Sequence, residues 1–209
     1  MPARTGQRRR PTQERARATR EHILDTAARL FGERGIADTS TNRIAAAAGV
    51  SIGTVYRYFT DRAVIVDELL ERLLETIEQR ITNHLAGLSE NSPEEIIAGV
   101  LEIITEELVA NAPLVRALVA GVQFYNSGIP EFEPRLRILV KVMLIQLLGP
   151  GDDREYDTMS FVLINTMFAA VLRVSALEVD DDERRAAVGM TARMIGRWIE
   201  SEIERRLAA

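Results

Sequence analysis

Residues 39–62 of this 209-residue chain, TSTNRIAAAAGVSIGTVYRYFTDR, hold its most concentrated set of groups with chemical potential. Tyr56 and Tyr58 carry hydroxyls that can reach a phosphate or a base edge, Thr54 offers a hydroxyl and a methyl, and Arg57 can reach either kind of target. Ser51 and Thr41 stand where two short helices should begin, so free backbone N–H groups could donate to phosphates there. Gly53 lets a backbone come close to whatever the segment meets, and Arg62 opens the following helix as a possible clamp on the same strand. Blander roles stay open beside these: Tyr56 as a half-buried core residue, and Ser51 as a helix cap and nothing more.

Other chemistries find few residues. The chain has no Cys, which removes disulfides, thiolate zinc sites and cysteine nucleophiles and fits a reducing cytoplasm. His22 and His84 each stand without a second ligand at helical spacing, so neither a metal site nor a catalytic base is expected. The acidic run Asp180-Asp181-Asp182-Glu183 is better explained by capping and the helix dipole than by a cation. An enzyme built on the rest of the chain would need a convergent acid, base or nucleophile set, and none is found, so the expectation is of a non-enzyme without cofactor.

The elements that must position the reactive stretch are helices. Ile44 and Ala48 face inward from a first short helix, Gly49 supplies a positive-φ turn, Val50 plugs the corner and Ser51 caps the next helix. On that second helix Val55 and Phe59, four residues apart, share one face and leave Thr54, Arg57 and Tyr58 on others. This is a helix-turn-helix pattern, and the exposed helix fits a major groove roughly 12 Å wide. Upstream, Ile23, Leu24, Ala27, Ala28, Leu30 and Phe31 recur at helical spacing from about Thr12 to a cap at Gly35. Downstream, helices are expected over 62–85, 94–110, 114–122, 134–148, 154–179 and 182–207, separated by Asn111-Ala112-Pro113, Gly128-Ile129-Pro130 and Gly149-Pro150-Gly151. No alternating strand pattern competes, so the fold class is all-α with about nine helices.

Charge divides along the chain. The first 62 residues carry twelve Arg, no Lys and six acids, a net +6, against −11 for the remainder. One end seeks anions and the other repels them. Residues 1–11, with Arg4, Arg8, Arg9 and Arg10, have no periodicity and are expected to form a flexible arm that either reaches the minor groove and flanking phosphates or serves as a solubilising tail. No secretory apolar run follows them. The longest apolar stretch, Phe161 to Leu172, is interrupted by Asn165 and Thr166 and falls short of the roughly 20 residues a bilayer needs, so no membrane segment is expected.

The run Arg20, Ile23-Leu24, Ala27-Ala28, Leu30-Phe31 and Gly35, then Ile44-Ala45, Ala48-Gly49-Val50-Ser51, Gly53-Thr54, Tyr56, Tyr58-Phe59 and Arg62 resembles the N-terminal domain of TetR-family transcription regulators. The resemblance covers about a quarter of the chain, and its many fixed spacings make it specific. It implies an all-helical subunit, a three-helix DNA-binding head over 12–62 and a divergent helical body over 63–209 for dimerisation and ligand binding. Carried over position by position, the DNA-facing residues fall on Thr41, Arg43, Ser51, Ile52, Gly53, Thr54, Tyr56, Arg57, Tyr58 and Arg62. Two positions depart from the commoner pattern. Arg62 stands where many members have Lys, and Ile52 stands where a polar or basic residue is frequent and can at most touch a thymine methyl or pack on sugar. The implied function is a sequence-specific transcriptional regulator in the cytoplasm, in the family's commoner mode a repressor released from its operator by a small molecule. An architectural DNA-binding protein without effector is the alternative, told apart by weak sequence preference and the lack of a pocket.

Helix-turn-helix proteins read two half-sites with two copies, so a palindromic operator and a homodimer are expected. The last two helices are the candidates for pairing. Phe161, Val162, Ile164, Phe168, Val171, Leu172 and Leu177 give one of them more apolar surface than a subunit's own core usually needs, and Gly189, Ala192 and Gly196 share a face of the other where a second helix can come close. Packing of that face within its own subunit is the alternative. The resemblance also implies an effector cavity in the body, for a small and largely apolar molecule. Residues 121–126 and 137–148 could wall it, with Arg116, Gln123, Phe124, Tyr125, Phe161, Asn165 and Arg173 as candidate contacts.

Overall fold

The computed structural model describes residues 9–86, 91–121, 129–176 and 179–208, and among them nine α-helices and no strand. In chain order these are α1 (Arg9–Arg34), α2 (Thr41–Ala47), α3 (Ile52–Tyr58), α4 (Arg62–Leu85), α5 (Pro93–Ala110), α6 (Ala112–Gly121), α7 (Ile129–Leu148), α8 (Asp153–Ala176) and α9 (Asp181–Leu207). Most ends are written in local chemistry. Gly35 and Gly49 take φ values of +82° and +64° after α1 and α2, a region other residues enter only with strain. Ser92 and Glu95 close a reciprocal capping box on α5, and Asp180 accepts from the backbone N–H of Glu183 at 2.7 Å to cap α9, the role expected of that acidic run.

Two helix starts differ by three residues or more from the sequence reading. Helix α1 already runs at Arg9, so residues 9–11 of the expected arm are helical; Pro11 sits in the first turn, where its missing N–H would have had no partner. Helix α7 starts at Ile129 rather than Pro134, because Pro130 is likewise compatible with a first turn and Pro134 interrupts the ladder at a single bond near the start.

The described residues form two compact units. One holds those up to Glu71 together with Pro113 to Gly121; the other runs from Arg72 to Ala112 and from Ile129 onward. In the first, Ile23, Leu24, Ala27 and Phe31 of α1, Ile44 of α2, Val55 of α3 and Phe59 and Ile65 around the start of α4 are all essentially excluded from solvent. Leu114 and Ala117 of α6 join the same cluster, so this packing unit does not end at Arg62 but takes in a helix fifty residues further along the chain.

The second unit is a helical body in which α5, α7, α8 and α9 pack on one another and on the later turns of α4. Tyr156 is almost wholly buried and donates from its hydroxyl to the carbonyl of Gly149, under the guanidinium of Arg206 at 5.1 Å. Lys141 bridges Asp153 and Asp157 at 2.7 Å each, and Arg80 joins Glu106 and Glu107 at 2.6 and 2.7 Å. The hydrogen bonds that the Lys141 ammonium donates to Asp153 and Asp157 raise it above its ordinary pKa. On length and composition alone α8 is apolar enough to cross a membrane, contrary to the expectation drawn from its short, interrupted apolar run. Asn165 and Thr166 break that run without lowering the helix's average enough to exclude it. Tyr156, Leu163, Met167 and Val171 nonetheless place one side of α8 in the body's core.

Candidate nucleic-acid interface and apolar cavity

The turn between α2 and α3 is fixed from both sides. Ser40 caps α2 and Ser51 caps α3, the latter accepting from the N–H of Thr54 at 3.1 Å. His22 of α1, without a role expected from its spacing, places Nε2 3.1 Å from the carbonyl of Ala48 and ties α1 to the end of α2. Thr39 is fully buried and donates from its hydroxyl to the carbonyl of Gly35 at 2.8 Å, holding the loop before α2. These contacts link residues whose spacing has no helical period, which hides them from a periodicity reading.

With Val55 and Phe59 fully buried, the remaining face of α3 is turned to solvent. Tyr56 is 52% exposed, Ser51, Gly53 and Arg57 are exposed, and Ile52, Thr54 and Tyr58 are half-buried. Ile52 and Tyr58 also pack on the edge of the core, so each serves both sides of the helix. Thr41 of α2 is brought to the same surface, its hydroxyl 3.3 Å from that of Tyr56. Ser51 and Thr54 hydroxyls pair at 2.8 Å, and the Arg57 guanidinium stacks over Tyr58 at 5.2 Å. Arg43 is exposed but donates to the carbonyl of Asp38 at 2.8 Å.

Arg62 sits differently. Its Nη1 donates to the carbonyls of Ile36 and Ala37 at 2.8 Å and of Thr39 at 3.3 Å, fastening the loop between α1 and α2 to the first residue of α4. Arg20 pairs with Glu68 and lies 5.4 Å above the Phe59 ring, while Arg17 and Tyr58 line a shallow cleft with Gln13 and Glu14. Arg4 and Arg8 lie outside the described residues.

Residues 23–69 match the family model described as bacterial regulatory proteins, tetR family. The likeness to that family rests on 47 of the 209 residues. The match runs from within α1 to within α4 and takes in α2, α3 and the turn between them. The chain is 38% identical over 102 residues to the regulator AcrR of Shigella flexneri, covering 47% of each protein, and 41% identical over 85 residues to TtgR of Pseudomonas putida, covering 41% of this chain and 38% of TtgR. It thus spans less than half the length of either. BetI of Pseudomonas paraeruginosa matches more extensively and more weakly, at 24% identity over 86% of this chain and 79% of BetI. Among solved structures, a tetR-family transcriptional regulator from Streptomyces coelicolor superposes with a TM-score of 0.65 at 17% identity, over 92% of this chain and 89% of that one. A TetR-like transcriptional regulator from Rhodococcus gives 0.60 at 20%, over 83% and 93%. At these identities the structures establish a shared fold.

In the body, α4, α5, α7 and α8 enclose a cavity of about 60 Å³. The expected contacts do not gather around it. Gln123, Phe124 and Tyr125 lie outside the described residues; Arg116 is exposed on α6, in the other packing unit; Phe161, Asn165 and Arg173 are exposed on α8. Asn165 donates to the carbonyl of Phe161 one turn earlier, and Arg137 of α7 stacks over the Phe161 ring at 5.6 Å. No group of three His, Cys, Asp or Glu suited to a metal occurs among the described residues.

The face of α9 that carries small residues is also placed. Ala192 and Gly196 are buried, and a Cβ on Gly196 would come within 2.6 Å of the Glu94 Cα on α5. Close helix approach at Gly196 is therefore made inside one chain. Large apolar side chains left exposed include Phe161 and Val162 of α8 and Met190 and Met194 of α9, and also Ile138, Val142 and Ile145 of α7.

Proposed function

We propose that this chain is a sequence-specific DNA-binding transcriptional regulator of cytoplasmic DNA, acting as a homodimer on a palindromic operator and released by a small molecule held in its body. The observation that carries the reading is the outward face of α3: Val55 and Phe59 anchor the helix while Ser51, Gly53, Thr54, Tyr56 and Arg57 leave the core unserved. A helix of seven residues presented this way suits a major groove, with Thr41, Arg43, Ile52 and Tyr58 flanking it. The net +6 of residues 1–62 supplies attraction to phosphates, to which Arg17 beside Tyr58 is well placed to contribute. Relatives named as transcriptional regulators support the reading.

Pairing through α8 and α9 is supported by the exposure of Phe161, Val162, Met190 and Met194, large apolar side chains on two neighbouring helices. Reading a palindrome requires two α3 helices at the roughly 34–36 Å repeat of successive major grooves. The 12–62 head and 63–209 body remain the functional division we propose, with α6 packing on the head.

Selection of bound sequences from random DNA, followed by anisotropy titration at several salt concentrations, tests the proposal. A palindromic consensus with Thr54→Ala or Tyr56→Phe shifting base preference is the expected result. Equal affinity for selected and random duplexes would refute it and favour the architectural reading.

A further inference from the structure

Six residues represent the cavity walls: Ile81 of α4, Val100 and Ile104 of α5, Leu139 and Met143 of α7, and Met167 of α8. Every other described residue lining it is Leu, Ile or Val as well, so the walls present neither an aromatic ring nor a side-chain hydrogen-bonding group. The neighbouring Thr105 hydroxyl is already donated to the carbonyl of Leu101 at 2.7 Å, and the surrounding backbone is helical and internally bonded. A polar or charged group entering such a space would lose its water and find no partner. Resting on the reading of an effector-controlled regulator, we infer that the effector is recognised by a neutral aliphatic segment, so that the protein measures hydrocarbon length rather than functional groups.

The dimensions set the length. A cavity needs about 10–15 Å³ to admit one water. The 60 Å³ present therefore holds about four to six groups of that size, and a methylene is comparable. Each methylene moved from water into such walls tightens binding about fourfold. Affinity should climb steeply over this range and then level off as further carbons remain outside. Met143 and Met167, the flexible members of the wall, let it fit chains of slightly different width. Specificity by length is shallow, since nothing in the walls can reject a molecule for lacking a hydrogen bond.

The test uses the full chain and two series of probes, 1-alkanols from propanol to octanol and the α,ω-diols of matching length, with binding read by calorimetry. The alkanol Kd should fall about fourfold per carbon up to about six carbons and then flatten, while each diol, forced to bury a hydroxyl, should bind about ten- to a hundredfold more weakly. Leu139→Ala, which enlarges the space, should move the plateau to longer chains, and Val100→Phe, which fills it, to shorter ones. If Val100→Phe does not fold, Leu139→Ala decides alone. A flat length series, diols binding as well as alkanols, tighter binding of alkanoates or alkylammonium ions, or an unmoved plateau in Leu139→Ala would each overturn the inference. Operator binding by the ligand-free protein is measured alongside. Its absence refutes the regulator reading and leaves the cavity result standing, whereas normal operator binding with any of the overturning results refutes the inference alone.

Discussion

Arg62 is the residue for which sequence and structure suggest different work, and Arg62→Ala separates them. The sequence offers a phosphate clamp at the start of α4. In the structure Nη1 is shared among the carbonyls of Ile36, Ala37 and Thr39, two of these contacts being partly buried. A hydrogen bond from a charged donor contributes about 1.5–3 kcal/mol. One nitrogen with two hydrogens serves three acceptors, and the exposed Ala37 carbonyl can return to water, so truncation should cost about 2–3 kcal/mol. For a chain of 209 residues this lowers the melting temperature by about 4–12 °C, measured on the free protein without DNA. Arg62→Lys keeps the charge but loses the fork that reaches several carbonyls, and should fall between the two. Affinity for DNA should drop for all sequences, because the loop preceding α2 loosens, yet the slope of log Kd against log salt should stay unchanged. Loss of a true phosphate contact would reduce that slope by about 0.9. Arg62→Ala with an unaltered melting temperature and a slope reduced by about one would refute the structural role and restore the clamp.

Two glycines of α9 should respond with opposite sign. Gly196→Ala pushes a Cβ against Glu94 backbone atoms 2.6 and 2.8 Å away, which no rotamer change relieves, so an overpacking cost of about 2–3 kcal/mol exceeds the roughly 1 kcal/mol gain in helix propensity; Gly189→Ala meets only the mobile Arg193 Nη1 at 3.6 Å and should raise the denaturant midpoint. Replacing Phe161 and Met194 together by Glu should leave a folded chain that sediments at the 23.3 kDa of one subunit, with operator affinity falling as pairing is lost; an intact dimer would exclude this face. The Lys141 bridge should stabilise the body fully below the ammonium's unfolded pKa of about 10.4 and fade as pH rises through its higher folded value. Urea midpoints of Lys141→Met and the parent chain should therefore differ at neutral pH and converge in strong alkali.

The head was legible because its determinants are local. Gly49, Ser51 and the Val55–Phe59 spacing specify a turn, a cap and a buried face within eleven residues, and each such signal is a short-range constraint on backbone or side-chain direction. The body's functional surfaces depend on which faces of long helices meet, and periodicity leaves that undecided. Phe161 is apolar and was a candidate for both pocket and pairing, yet it lies outside beneath Arg137 while the neighbouring Ile164 and Met167 turn inward to the cavity. Gly196 carried a correct signal for close approach but not the identity of the approaching helix, which is α5. The same limit governs α6. Nothing in Leu114 or Ala117 announces that they complete a core begun at Ile23, because their partners lie far away in sequence. Yet α6 follows α5 across a single turn residue, and α5 supplies Val100 and Ile104 to the cavity wall. The boundary between the two packing units, at Ala112–Pro113, therefore falls inside the first turn of α6, where a reading that treats each helix as one element does not look for it.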